Sequence, residues 1–160
     1  ARLLQLGYPG GPAIQRTAET ATASYQLPRA WLQGTRDFSF SGLKTALYHL
    51  VHRQHLMEDA RLVAKAAAGF QEAVVDVLVR KACKAATEVN ARCIMLSGGV
   101  AANKALRERL TLDSPVEVFI PPLSLCTDNA AMVAACAWFA SNQREPSTPD
   151  LDIAPALALR

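Results

Sequence analysis

Leu96-Ser97-Gly98-Gly99-Val100-Ala101-Ala102-Asn103-Lys104 decides how this chain is read. A short apolar run, Cys93 to Leu96, precedes the stretch, and a helical pattern to Leu110 follows it. Strand, small-residue loop, helix is an arrangement by which backbone approaches phosphate. Glycine has no Cβ to hold an anion away from the amides, and a helix N-terminus adds partial positive charge. On spacing alone, the same pattern also serves as a packing turn. The Gly-Lys-Ser/Thr of a P-loop is absent, and the glycines do not make a dinucleotide fingerprint. Asn103, in the first helical turn, is placed to bond a ribose or a base, or to be an ordinary surface residue.

Downstream, Val116 to Ile120 reads as a second strand, ended by Pro121-Pro122. A helix is expected from near Asp128 through Ala140. Alternating helices and strands give an α/β order. In such sheets ligands sit beyond the carboxyl ends of the strands, so the loops 97–102 and 121–127 are expected to meet at one site. Asp128 has two readings. At a helix start an aspartate is a cap; aimed into a cleft, its carboxylate is a hard donor for a metal ion.

Upstream, Ala1 to Leu6 reads as the end of a helix stopped by Gly7, as though the chain were part of a longer one. Tyr8-Pro9-Gly10-Gly11-Pro12 is a tight loop in which Pro12 opens a helix running to about Ala23. Two glycines between prolines serve as a connection or as a backbone wall against a flat or anionic ligand. Tyr25 to Arg36 reads as irregular. Phe38-Ser39-Phe40-Ser41 alternates like a short strand with both aromatics in the core. Ser41 and Lys44 are open to a ligand role or to roles as a cap and a solvated lysine. A helix is predicted from Leu43 to His55. Asp59 is the expected cap of the longest helix, which ends near Asn90. Its apolar residues Leu62, Val63, Ala66, Phe70, Ala73, Val74, Val77 and Leu78 form one broad stripe, and Gly69 within it suits close packing against a neighbour.

The 160 residues suffice for one domain with a core, and 51% hydrophobic content argues against disorder. A net charge of +3 permits contact with nucleic acid without arguing for it, and no basic tract stands out. Arg107 and Arg109 read as plain helix residues. Without a signal peptide or an apolar run of transmembrane length, a cytoplasmic protein with no membrane partner is expected. Cys83, Cys93, Cys126 and Cys136 form no Cys-x-x-Cys pair and read as reduced, buried thiols. His49, His52 and His55 lie three apart, so the outer two diverge around a helix. No Glu completes a zincin motif, and they read as a partly exposed face. No Ser-His-Asp or Cys-His arrangement and no Gly-x-Ser-x-Gly is present.

Taken in order, the Tyr8–Pro12 loop, Phe38–Thr45, Phe70-Gln71-Glu72-Ala73, Leu96–Asn103 and Cys126-Thr127-Asp128-Asn129-Ala130-Ala131-Met132 resemble the TsaD family across Ala1 to about Ala140. That resemblance implies the actin-like ATPase fold, with two RNase-H-like lobes around a nucleotide cleft. The chain resembles the C-terminal part: residues 1–145 as the C-terminal lobe, the N-terminal lobe missing, and residues 146–160 as a Pro-rich tail. The implied activity is transfer of a threonylcarbamoyl group from threonylcarbamoyl-adenylate to N6 of the adenosine beside the anticodon, in tRNAs reading A-starting codons. Implied partners are tRNA, the adenylate or another adenine nucleotide, and further subunits of a threonylcarbamoylation complex.

By the same resemblance, Gly11 and Asn103 contact the adenylate, Gly98 and Gly99 match the phosphate loop, and Asp128 is a ligand of one divalent metal ion, iron or zinc. No catalytic residue is assigned. The family's two histidine ligands, in a His-x-x-x-His motif of the N-terminal lobe, have no counterpart here. The chain alone is therefore expected to bind metal weakly and not to turn over. Where some members carry an acidic residue after the Pro-Gly-Gly-Pro loop, this chain has Gln15. Asn103→Ala is expected to weaken adenylate binding and leave the fold intact. Two other readings compete: a non-catalytic actin-like nucleotide-binding subunit of the same complex, and a metallopeptidase, the family's older description. Asp128 and the glycine loop argue against the first; no peptidase constellation supports the second.

Overall fold

The computed structural model describes residues 1–141; the Pro-rich segment 146–160 lies outside the described residues. Residues Ala1–Thr127 form one compact unit, and a second begins at Asp128. In the first are helices α1 (Gly10–Glu19), α2 (Ser41–Arg53), α3 (Ala60–Glu88) and α4 (Lys104–Asp113) and a two-stranded sheet of β1 (Cys93–Met95) and β2 (Glu117–Phe119), on which α3 and α4 pack. The strands are parallel, with Ile94 opposite Val118 and Leu96 N–H donating to Phe119 O at 2.9 Å. Parallel pairing sends both strand ends the same way, so the loops following β1 and β2 leave one edge. This α/β arrangement agrees with the expected class.

The long helix α3 organises the unit. Asp59 caps it as predicted, its carboxylate accepting from Arg61 N–H at 2.8 Å. It ends where Asn90 takes a left-handed φ of 50° and Ala91 N–H bonds back to Ala86 O at 2.8 Å. The expected single stripe is too narrow. The first half of α3 packs Val63, Ala66, Ala67 and Ala73 against Leu4, Leu43, Leu47, Val51 and Leu56. The second half turns Val75 and Val79 toward Leu106 and Leu110 of α4, with Ile94, Leu96 and Val118 of the sheet packed against them. One helix thus joins two cores, and its many alanines let neighbours lie close on two sides.

Gly69 makes the closest approach. A Cβ there would sit 2.2 Å from Tyr25 O, and Tyr25 N–H donates to Lys65 O at 3.2 Å. The irregular segment after α1 is laid along α3 in this way. It is fastened further by Arg29, which reaches Glu72 at 2.8 Å and Asp76 at 3.0 Å, and by Lys81, which donates to Thr35 O at 3.2 Å.

Three local expectations are corrected. Phe38–Ser41 is not a strand: the chain stays irregular to Phe40, and α2 starts at Ser41. Phe38 is half exposed beneath the Lys81 ammonium rather than in the core, because no neighbouring strand pairs with it. Helix α1 runs Gly10–Glu19, earlier at both ends than expected, with Pro12 in its first turn where no N–H is required. The chain start is a short 3-10 turn at Arg2–Leu4, not a helix end, and Gly7 follows it at φ 78°. All four cysteines are free, but only Cys126 is buried as expected; Cys83 and Cys93 are half-buried and Cys136 is exposed. Burial and the nearby Asp113 push the Cys83 thiol pKa up. His49, His52 and His55 are exposed as expected, with the first two rings against Tyr48.

The second unit is described to Ser141. Its helix α5 (Ala130–Ser141) is capped by Asn129, whose Oδ1 accepts from Met132 N–H at 3.0 Å. Asn129, not Asp128, is therefore the cap. No described helix is long and apolar enough to cross a membrane.

Candidate nucleotide site

A cavity of about 460 Å³ opens between α1, the middle of α3 and the start of α4. Gly11 and Pro12 come from α1, Phe70, Gln71, Val74 and Leu78 from α3, and Gly99, Val100 and Asn103 from the loop after β1. Three sequence segments far apart in the chain thus converge, and they are three of the motifs singled out above. The walls are largely apolar, with Gln15, Gln71 and Asn103 as neutral polar groups and Arg16 as a charged one. That composition suits a flat, partly apolar ligand held by a few directed hydrogen bonds.

The glycines leave room. A Cβ added at Gly11 or Gly99 would meet nothing within 4 Å, so packing within the protein does not demand glycine at either place. Gly98 differs. Its φ of 86° and ψ of 174° belong to a region that only glycine enters readily, and it starts a 3-10 turn over Gly99–Ala102. The expected passage from glycine loop straight into helix is thus interrupted by this turn, and α4 begins at Lys104. Gly98 does not line the cavity; it shapes the turn that does.

The start of α4 is already furnished with acceptors. Asn103 Oδ1 accepts from Leu106 N–H at 2.9 Å, and Gln15 Oε1 accepts from Lys104 N–H at 3.0 Å. A bare helix end facing an anion is therefore not what this site offers. Its polar lining consists of the Gln15, Gln71 and Asn103 amides and the Arg16 guanidinium, and Asn103 is both cap and cavity wall. The expectation that Asn103→Ala leaves the fold intact changes accordingly, since the cap is lost with the side chain.

The loops after β1 and β2 are joined through Arg107, a residue that sequence reading passed over, but the expected shared site is not formed, since no residue of 121–127 lines the cavity. The half-buried Arg107 donates to Ala101 O at 2.5 Å, to Pro121 O at 2.7 Å and to Cys126 Sγ at 3.0 Å. Its guanidinium holds the 3-10 turn to the Pro121–Cys126 segment. The signal available was position alone: Arg107 lies one helical turn after Asn103, on the face turned back toward the loop.

Asp128 opens the second unit. With Asn129 serving as cap, its carboxylate has no part in capping α5. Among the described residues, no three His, Cys, Asp or Glu side chains gather to hold a metal ion. Asp128 is thus a lone hard donor, and the described residues do not complete a coordination sphere.

The TsaD family, described as tRNA N6-adenosine threonylcarbamoyltransferase, matches residues 1–135. Similar curated proteins bear that same name. One from Dehalococcoides mccartyi is 50% identical over 159 residues, covering 99% of this chain and 48% of its own length. One from Thermomicrobium roseum is 47% identical, covering 99% of this chain and 49% of its own length. One from Bacillus anthracis is 48% identical, covering 98% of this chain and 47% of its own length. The chain spans about half the length of the curated relatives it matches. With the ordered motifs and the family match agreeing over most of its length, the chain belongs to the TsaD family.

Proposed function

We propose that this chain carries the adenylate-binding side of a tRNA N6-adenosine threonylcarbamoyltransferase, as the C-terminal lobe of an actin-like, two-lobe protein. The observation that carries the reading is the convergence of Gly11, Gly99 and Asn103 on one cavity. The family's name supplies the reaction class, and the cavity supplies a place for the leaving nucleotide.

In that reaction the tRNA adenosine N6 attacks the threonylcarbamoyl carbonyl of threonylcarbamoyl-adenylate. A C–N bond forms, the C–O bond to the phosphate breaks, AMP leaves, and N6 gives up one proton. The residues here act on the nucleotide portion. Phe70, Val74 and Leu78 give an apolar wall that excludes water. Asn103 presents an amide donor to a ring nitrogen or a ribose oxygen. Gly11 and Gly99 let backbone approach without a Cβ in the way. Holding the leaving group in place turns the attack into an oriented step, which is where binding contributes to rate. Gln15, bound to Lys104 N–H and to Glu19, closes one side with a neutral amide rather than a carboxylate.

A divalent ion, iron or zinc, would supply charge stabilisation at the carbonyl. Asp128 is the residue of this chain with the chemistry to be one of its ligands, and no step is derived through the ion from a single donor. The proposed partners are tRNA, threonylcarbamoyl-adenylate and further subunits of the modifying complex, in the cytoplasm. The tRNA contact is expected to be salt-sensitive.

The test is nucleoside mass spectrometry on unmodified tRNA incubated with threonylcarbamoyl-adenylate, the full-length protein and its partner proteins. Wild type is expected to yield threonylcarbamoyladenosine. Asn103→Asp keeps the cap oxygen and removes the amide donor, so it should lower the yield at subsaturating adenylate by about tenfold, the worth of one directed hydrogen bond. No product from wild type under these conditions would overturn the reading in favour of a non-catalytic nucleotide-binding subunit.

A further inference from the structure

Within the Phe70-Gln71-Glu72-Ala73 segment, Phe70 lines the cavity wall and Glu72 pairs with Arg29, and Gln71 faces Asn103. Asn103 Nδ2 donates to Gln71 Oε1 at 2.8 Å, and both side chains line the cavity. The orientation of this pair is fixed by the backbone. Leu106 N–H is a donor only, so the Asn103 atom that faces it at 2.9 Å is the oxygen. The other end of the Asn103 amide is then the NH2 group, and the Gln71 atom opposite it is the carbonyl oxygen. One of the two Nδ2 hydrogens is used by Gln71, and the second remains for a ligand acceptor.

We infer that Gln71 is a positioning residue for the adenylate, acting through Asn103. Its carbonyl pins the Asn103 amide in the plane and flip that present a hydrogen-bond donor to the cavity. Without that acceptor, the amide keeps its cap oxygen but loses the constraint on its NH2 end. A fixed donor reads a purine ring nitrogen or a ribose oxygen at lower entropic cost than a mobile one. Gln71 itself is held by its place on α3, whose Phe70 and Val74 line the same cavity wall and whose Ala73 and Val75 are buried. This inference rests on the nucleotide reading of the cavity.

The test is AMP binding by titration calorimetry to the purified full-length protein, comparing wild type, Q71M, Q71E, N103D and the double variant Q71M/N103D, with each fold checked by its thermal midpoint. Q71M approximates the shape and removes the acceptor; Q71E keeps an acceptor for Asn103. The expected results are a loss of about tenfold in Q71M, recovery of most of that loss in Q71E, and no further loss when Q71M is added to N103D, because coupled residues are non-additive. Unchanged affinity in Q71M, no recovery in Q71E, or a full additional loss on N103D would each overturn the positioning role while leaving the cavity reading intact. Absence of AMP binding by wild type would overturn the cavity reading, and this inference with it. If Q71M does not fold, the measurement passes to wild type. The Asn103 side-chain amide should then exchange with solvent more slowly than that of the exposed Asn90, and equal rates would overturn the inference.

Discussion

Gly98 and Gly99 are adjacent and chemically identical, yet they do different things. Gly98 holds a backbone conformation that a side chain resists; Gly99 does not, and a Cβ there meets open space. Gly98→Ala should therefore lower unfolding free energy by about 1–3 kcal/mol. Gly99→Val should leave stability within about 0.5 kcal/mol, as surface changes do, and weaken AMP binding through the bulk it puts into the cavity. Urea unfolding and titration calorimetry on the same two variants separate the roles. Equal destabilisation would refute the distinction.

Asp59 offers a pH signature at the same scale. The Arg61 backbone N–H, donating to its carboxylate, holds the Asp59 pKa below the ordinary 3.8. A carboxyl whose folded pKa is depressed contributes stability that is present above its unfolded value and is lost as pH falls through the lower folded value. Asp59→Ala should thus lower the thermal midpoint at pH 7, and the gap to wild type should shrink as pH falls below about 4. A gap independent of pH would show that the cap acts without its charge.

Two contacts between elements carry predictions of their own. Gly69 on α3 lets the backbone at Tyr25 lie against the helix, at a separation that any Cβ would violate. The obstacle is a carbonyl rather than a flexible side-chain tip, so Gly69→Ala should cost about 1–3 kcal/mol by overpacking, read by urea unfolding. A neutral result would mean that the segment lifts away freely. Arg107 ties α4 to two loops through the Ala101 and Pro121 carbonyls. Arg107→Met should cost about 1–3 kcal/mol, since partly buried carbonyls lose their donor, and amide exchange in residues 98–103 should speed up. Unchanged exchange there would show that the loop stands without the staple.

The element scale also shows what sequence makes legible. The Asp59 cap, the close packing at Gly69 and the helix–strand order after Ala60 were readable because they depend on local spacing. The Phe38–Ser41 strand was misread because four alternating residues satisfy the period of a strand without a neighbour to pair with. Arg107 was passed over because an arginine among helix residues carries no periodic signal; only its partners, Ala101, Pro121 and Cys126, give it meaning.

At the scale of the first unit, α3 explains both the stability and the site. Its N-terminal half anchors α2 and its C-terminal half anchors α4 and the sheet. Where these two packing faces change over, at Phe70 to Leu78, the cavity opens. Gly11, Gly99 and Asn103 lie in motifs whose order in the sequence is legible, and the fold brings them to one cavity. The partnership of Gln71 with Asn103 was not legible, because residues 32 apart meet only when α3 and α4 cross. Asp128, in the second unit, carries chemistry that the described residues do not complete.

The central claim is that this cavity takes an adenylate, and amide hydrogen exchange with and without AMP tests it most directly. The account predicts slowed exchange within residues 10–16 and 99–107 on saturation with AMP, with residues 41–58 unchanged. Unaltered exchange in both of the first two segments, with AMP bound, would place the nucleotide elsewhere and contradict the account.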